Sequence, residues 1–277
     1  TRPWAGPLAG LLCILEWHLV WASVSGMETM LYIWLSVLVV DLWLVADDRS
    51  QVGDEGARSA VIRWLGLGVV GGLLALTRPE GLGLVGLIGL AAGWRLRRMP
   101  GRLLRTWLAI GIGLALPLIP YLIIHYTTTG LPFPNTFYAK QEEYRARLTL
   151  YPVWRRWLMM AGVTLIGGQI LLLPGFVCAI WRFISGFRSP DSEPGPSIYG
   201  PLICATWWFV HLALYALRLP VTYQHGRYQI PVIPFFILVG VGGTAFLLRP
   251  QARALAVRVL SQTLMAATLV LFLAFLV

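Results

Sequence analysis

The stretch T-W-L-A-I-G-I-G-L-A-L-P-L-I-P-Y-L-I-I, residues 106–124, leads into G-L-P-F-P-N-T-F-Y-A-K, residues 130–140. The first part carries no charge and is nearly as long as the roughly 20 helical residues that cross a ~30 Å hydrocarbon core. The second part resists helix, because Pro132 and Pro134 lack backbone donors and push their predecessors towards extended conformations. It also holds the one lysine of the chain, Lys140, beside Asn135, Thr136, Phe137 and Tyr138. An apolar span that ends in a stiff polar loop predicts a membrane-spanning helix with a ligand-binding turn at the membrane surface.

The rest of the chain fits that pattern. It is 57% hydrophobic and 12% charged, with 13 tryptophans and a mean hydropathy of +0.71, the composition of a polytopic helical membrane protein. The net charge of +10 does not point to nucleic acid. The basic residues are almost all arginine and fall in short clusters between apolar runs, as juxtamembrane charges do. Cys13, Cys178 and Cys204 all lie in apolar runs, which indicates neither a disulfide framework nor a metal site. No Walker A loop, metal-binding pair or G-x-S-x-G motif is present, so nucleotide-dependent and hydrolase chemistry lack support. The opening T-R-P-W-A-G-P reads as a loop entering a helix, so residues 1–277 are expected to be the later part of a longer protein.

Spans are predicted at residues 7–24, 27–46, 61–77, 81–94, 106–124, 157–181, 199–217, 229–248 and 254–277, an all-α bundle of about eight or nine spans. Those at 61–77 and 81–94 are short. Residues 47–60 and 185–197 are polar and rich in Gly, Ser or Pro, as solvent loops are. Residues 141–157, with Glu142, Glu143, Arg145, Arg147, Arg155 and Arg156 among Tyr144, Tyr151, Trp154 and Trp157, read as an interfacial helix whose aromatic and basic belt anchors it.

With these spans one side receives Arg49, Arg58, Arg63, Arg95, Arg97, Arg98, Arg102, Arg105, Arg182, Arg188, Arg249, Arg253 and Arg258, thirteen in all. The other receives Arg78, Lys140, Arg145, Arg147, Arg155, Arg156, Arg218 and Arg227, which is eight. The richer side should be cytoplasmic. The poorer side collects the compact polar motifs: Ser25-Gly-Met-Glu28, Arg78-Pro-Glu-Gly81, the loop at 130–140, and His225-Gly-Arg-Tyr228. Polar groups gathered on one face of a bundle mark a substrate or ion path.

Each motif also has a plain structural explanation. Ser25 to Glu28 and Thr77 to Glu80 both have capping-box spacing, with Pro79 in a first turn where a missing N–H costs nothing. The functional alternative is that these helix starts aim N–H groups and the positive end of a dipole at an anion. Arg78 strengthens that reading, since a guanidinium grips phosphate bidentately. Trp207, His211, Tyr215 and Arg218 share one helical face below the His225 turn, the pattern of a packed core with a satisfied histidine. Glu16 and His18 lie in the first span, where an acid is costly unless it faces the bundle or a cavity.

In this order S-G-M-E-T, R-P-E-G, P-N-T-F-Y-A-K and H-G-R-Y-x-x-P-x-x-P resemble the GT-C membrane glycosyltransferases, most nearly the bacterial branch that includes the mycobacterial terminal arabinofuranosyltransferases. The resemblance covers residues from about Trp17 to about Pro234. It implies a sugar donor carried on a polyprenyl phosphate, an envelope glycan, lipid or protein as acceptor, and inversion at the anomeric carbon. It also implies a site on the outer face of the bacterial cytoplasmic membrane. On that basis Arg78, Lys140 and Arg227 are expected at the donor phosphate, and Asn135, Tyr138, His225 and Tyr228 at the sugar or acceptor, while Glu28 and Glu80 order the site through their caps. The donor is a substrate, membrane lipids are the surroundings, and no cofactor or metal is assigned. The family's acid pair sits in a first outer loop that lies upstream of these motifs, so no catalytic base is assigned within residues 1–277. A transporter or flippase of a lipid-linked or anionic solute is the alternative, and it predicts polar residues near mid-bilayer with access from both sides.

The charge bias makes a direct expectation. With single cysteines at Asp54, Pro100, Gln141 and Pro190 in whole cells, an impermeant reagent should label position 141 and spare 54, 100 and 190. Labelling of 100 but not 141 would reverse the topology.

Overall fold

A computed structural model describes residues 3–52, 57–131, 138–139, 142–187, 196–221, 224–248 and 255–274. Among them the chain is about 88% helical, with no strand. The helices are α1 Ala5–Leu15, α2 Trp17–Val24, α3 Thr29–Val52, α4 Ala57–Thr77, α5 Gly81–Leu96, α6 Pro100–Thr129 and α7 Arg145–Leu150. They continue as α8 Val153–Thr164, α9 Leu173–Phe187, α10 Pro196–Arg218, α11 Ile233–Leu247 and α12 Leu255–Ala274. Short 3-10 turns at Gly168–Leu172, Gln224–Gly226 and Ile230–Val232 join some of them.

This is a multi-pass membrane protein. Six helices are long and apolar enough to cross a bilayer, or seven if the bent pair α1 and α2 makes one span. The eight or nine predicted spans exceed that number because Gly81–Leu96 and Gln262–Phe272 are shorter apolar helices. Ile112, Leu116, Ile119, Ile123 and Ile124 of α6 are all exposed, a surface that water would not tolerate at this size and hydrocarbon does.

The chain divides into two compact units. The first comprises residues 1–30, 154–216 and 221–277, and the second comprises residues 31–153 and 217–220. In the second unit α4 and α6 meet backbone to backbone. A Cβ on Gly68 would strike the Ile110 carbonyl, and one on Gly113 the Leu65 carbonyl. Pro117, inside α6, lies against Gly72. Contacts advance together along both helices, from Gly68 with Ile110 to Gly72 with Pro117, so α4 and α6 run parallel. The chain must therefore return between them, and α5 does this with 16 residues, about 24 Å of helix. Its start faces the end of α4 (Gly81 against Leu74), and its end faces the start of α6, where the Trp107 indole donates to the Gly89 carbonyl at 3.0 Å. Small residues let this happen, since without a hydrophobic driving force in lipid close backbone approach is what holds helices together. Near the ends of α3 and α5, Arg95 pairs with Asp47 at 3.1 Å, both nearly buried.

In the first unit Gly175 packs on Gly240 and Thr244, and the contacts advance from Leu172 against Gly240 to Ala179 against Gly243, so α9 and α11 also run parallel. Phe176, Trp208 and Phe236 fill the space between these helices and α10. The span expected at 157–181 is not one helix. α8 ends at Thr164, the chain turns through Gly167 at φ 120°, and the apolar segment able to cross begins at Gly168 and ends at Ser185. Trp157 lies against Trp208 and Phe209, while Val163 lies against Gly226. α8 thus climbs beside α10 towards the Gly226 turn before α9 descends. The expected interfacial helix at 141–157 is likewise divided, with α7 ending at Leu150 and Pro152 standing before α8.

The α4–α6 contact can be tested. Gly113→Val should lower stability by about 1–3 kcal/mol or more, as overpacking does. Gly111→Val should change it little, because a Cβ there meets nothing within 4 Å. Thermal unfolding in detergent measures both; equal effects would remove the close-packing account.

Candidate functional site

The His225-Gly-Arg-Tyr228 turn is built from backbone that few sequences accept. His225 is the only non-glycine residue with positive φ among the described residues, at φ 54°, and Gly226 follows at 72°. Consecutive left-handed residues reverse the chain tightly, and the Gln229 amide closes the turn on the Gly226 carbonyl at 2.7 Å. Gly226 is required twice over, by its φ and because a Cβ would collide with Val163. A bulky residue held at positive φ stores strain of a kind that clusters at functional sites.

Each side chain of the turn then has its own surroundings. His225 is exposed and its ring packs edge-to-face with Trp17 (5.5 Å) and Trp21 (5.0 Å). Arg227 donates through Nη2 to Glu28 Oε1 at 3.2 Å and lies 5.1 Å from the Tyr228 ring. Tyr228 is buried; its ring packs on Tyr215, and its carbonyl accepts from His211 Nε2 at 2.8 Å. A carbonyl only accepts, so Nε2 of His211 carries the proton. Gln229 is fully buried, with Nε2 directed at the Val221 carbonyl (3.0 Å) and Met160 Sδ (2.8 Å).

Glu28 reaches Arg227 from 199 residues away in sequence. The box predicted at Ser25 to Glu28 is replaced by something else. Ser25 is the C-cap of α2, its hydroxyl donates to the Ala22 carbonyl at 2.7 Å, and Gly26 follows at φ 68°. This is how a helix ends with a left-handed glycine. The motif closes α2, and Glu28 orders the site as an ion-pair partner.

Deeper in the same unit the chain breaks at Glu16, where α1 and α2 bend by 58°. The carboxylate is fully buried and has three donors or partners: the Leu19 amide (2.9 Å), His18 Nδ1 (2.6 Å) and Gln169 Nε2 (3.2 Å). Glu16 therefore caps α2 and binds the two polar residues nearest to it. The sequence reading singled out Glu16 and His18 but missed Gln169, whose signal was a polar residue directly after two glycines inside an apolar run.

The remaining predicted residues belong to the second unit. Arg78 is buried at the end of α4, 5.7 Å from the Tyr32 ring. The second predicted box is also absent. Thr77 donates backwards to the Leu74 carbonyl at 2.6 Å, and Glu80 stands at the N-cap of α5 without a side-chain cap bond. Successive turn bonds, from Gly81 N–H to the Arg78 carbonyl and from Gly83 N–H to the Glu80 carbonyl, carry the chain from α4 into α5. Tyr138 is exposed. Asn135 and Lys140 lie outside the described residues. Glu28, His225, Arg227 and Tyr228 are thus brought together in one unit, while Arg78, Glu80 and Tyr138 stand in the other.

One further cation was misplaced by the sequence reading. Arg156, assigned with Arg155 to the anchoring belt of an interfacial helix, is 6% exposed, on the α8 face that also buries Met160 and Thr164. Adjacent helical positions point about 100° apart, so the two arginines could not have shared one environment. No group of three or more His, Cys, Asp or Glu side chains able to hold a metal ion occurs among the described residues. Searches against protein-family models, curated proteins and solved structures found no match.

The Glu16 cluster makes a stability prediction. Glu16→Ala should cost about 1–3 kcal/mol for each buried donor left without its acceptor, and Glu16→Gln less, because one oxygen remains. Wild-type thermal stability in both variants would contradict this assignment.

Proposed function

We propose that the chain acts in GT-C-type glycosyl transfer, moving a sugar from a polyprenyl phosphate to an envelope acceptor outside the cytoplasmic membrane. The observation that carries the reading is the Glu28–Arg227 ion pair, which joins two of the motifs on which the resemblance rests. Two residues before Arg227, the exposed His225 packs in T-shaped geometry with Trp17 and Trp21. Sugars are recognised by such surfaces, with polar edges for hydroxyls and aromatic faces for C–H groups.

In the reaction an acceptor hydroxyl attacks the anomeric carbon, the carbon–oxygen bond to phosphate breaks, and the hydroxyl proton passes to a base. The base is not assigned within residues 1–277. Prenyl phosphate leaves with both bonding electrons, so fixed cations stabilise the charge that grows on it. In the first unit Arg227 supplies such a cation, His225 contacts the sugar or acceptor, and Tyr228 supports Arg227 from its buried position; Arg78 and Lys140 at the phosphate, and Asn135 and Tyr138 at the sugar or acceptor, are assigned by the resemblance alone.

A transport reading has one observation in its favour. Glu16, His18 and Gln169 are buried where an apolar helix pair is broken, and discontinuous helices with polar residues line the sites of secondary transporters. Every hydrogen-bonding oxygen of Glu16 is already engaged by the protein, which suits a structural hinge better than a carrier site.

The test uses the full-length protein in proteoliposomes with a polyprenyl-phosphate sugar. Arg78→Gln and Arg227→Gln should each lower donor use about ten- to a hundredfold, the worth of a charge-assisted hydrogen bond of about 1.5–3 kcal/mol. Prenyl phosphate release should match sugar transferred. Normal donor use in both variants would sink the phosphate assignment, and lipid movement without bond cleavage would favour transport.

A further inference from the structure

Arg156 presents a physical problem that the protein alone does not solve. Its side chain is 94% buried by its 6% exposure, and neither Nε nor Nη1 has a hydrogen-bond partner. An arginine cannot shed its proton to escape burial, and an unpaired buried charge is strongly unfavourable. Two other arginines are treated differently, with Arg95 on Asp47 and Arg227 on Glu28. Arg156 has no carboxylate partner among the described residues.

Its place in the fold says what is missing. Arg156 lies one helical turn before Met160 on the inner face of α8. Met160 touches the Gln229 amide, and Val163 covers Gly226, so this face packs on the His225–Gln229 turn. Gln229 Oε1 is also buried without a donor. Around Met160 the unit thus has a cation lacking an anion one helical turn back on α8, and an acceptor lacking a donor on the facing turn, the complement of an anionic group that also carries a hydroxyl. On the opposite side of α8, Trp154, Leu158 and Met159 are exposed and apolar, a face suited to hydrocarbon, the phase in which a prenyl chain lies.

We infer that Arg156 binds the phosphate of a lipid-linked glycosyl phosphate, with Gln229 Oε1 accepting from a sugar hydroxyl. This rests on the glycosyltransfer reading and refines it. The Arg227 charge is already answered by Glu28, so Arg156 is the principal phosphate cation of this unit and Arg227 a secondary one.

The experiment uses full-length protein in phosphatidylcholine nanodiscs. Thermal stability and binding are measured with undecaprenyl phosphate, undecaprenol and inorganic phosphate. Arg156→Met should raise the ligand-free Tm, because it removes an unanswered charge, and should weaken undecaprenyl phosphate about ten- to a hundredfold. Its affinity for undecaprenol should be unchanged. Arg156→Lys keeps the charge and should fold as the wild type does, with an intermediate loss of binding. A lower ligand-free Tm in the Met variant, together with wild-type binding in the Lys variant, would make Arg156 structural and overturn the inference. Equal stabilisation of the wild type by inorganic phosphate would overturn the lipid-linked assignment. The two proposals separate cleanly. Loss of binding in Arg156→Met with no sugar transfer by the wild type defeats glycosyl transfer alone, whereas normal transfer by Arg156→Met defeats the phosphate role alone.

Discussion

Hydrocarbon offers no hydrogen bonds, and that constraint governs nearly every feature of this protein. Backbone polar groups must be satisfied within the chain, so helices carry it across. Polar side chains that enter must bring their partners. Glu16 meets the Leu19 amide, His18 and Gln169, and in doing so fixes the bend between α1 and α2. Where no polar group is involved, glycine lets helices approach to backbone contact. Gly68 with Gly113 joins α4 to α6, and Gly175 with Gly243 joins α9 to α11.

The same constraint separates structural charges from those suited to a ligand. Arg95 and Asp47 neutralise one another and hold the ends of α3 and α5. Arg227 and Glu28 do so in a half-exposed setting, where the pair orients a guanidinium without hiding it. Arg156 is buried and its Nε and Nη1 are unanswered. His225 adds a strained backbone at the exposed end of the same turn. The first unit therefore concentrates both stored strain and uncompensated charge around the segment from Gly226 to Gln229.

Helical class and membrane residence were legible because composition and apolar run length report burial in lipid directly. Finer features depended on contacts that sequence spacing does not encode. Residues 157–181 looked like one span because the break at Gly167 costs little hydrophobicity, although it reverses the chain. Ser25-Gly-Met-Glu28 matched an N-terminal box, yet Gly26 adopts the left-handed conformation that ends α2. The choice between those two depended on a partner for Glu28 that lies 199 residues away. Arg155 and Arg156 looked alike in a basic belt, and only the packing of α8 tells them apart. The short segment at 81–94 was doubtful as a crossing, and the parallel arrangement of α4 and α6 requires it to return the chain.

The central claim is that two distant motifs form one polar site through the Glu28–Arg227 pair, and a charge swap tests this most directly. Glu28→Arg and Arg227→Glu are made singly and together, and thermal stability and donor use are measured for each. The account predicts that each single change is harmful and that the double swap regains part of the loss, with a coupling of about 0.5–3 kcal/mol. Strictly additive losses would show that the two side chains do not act on one another, and the site as described would not stand.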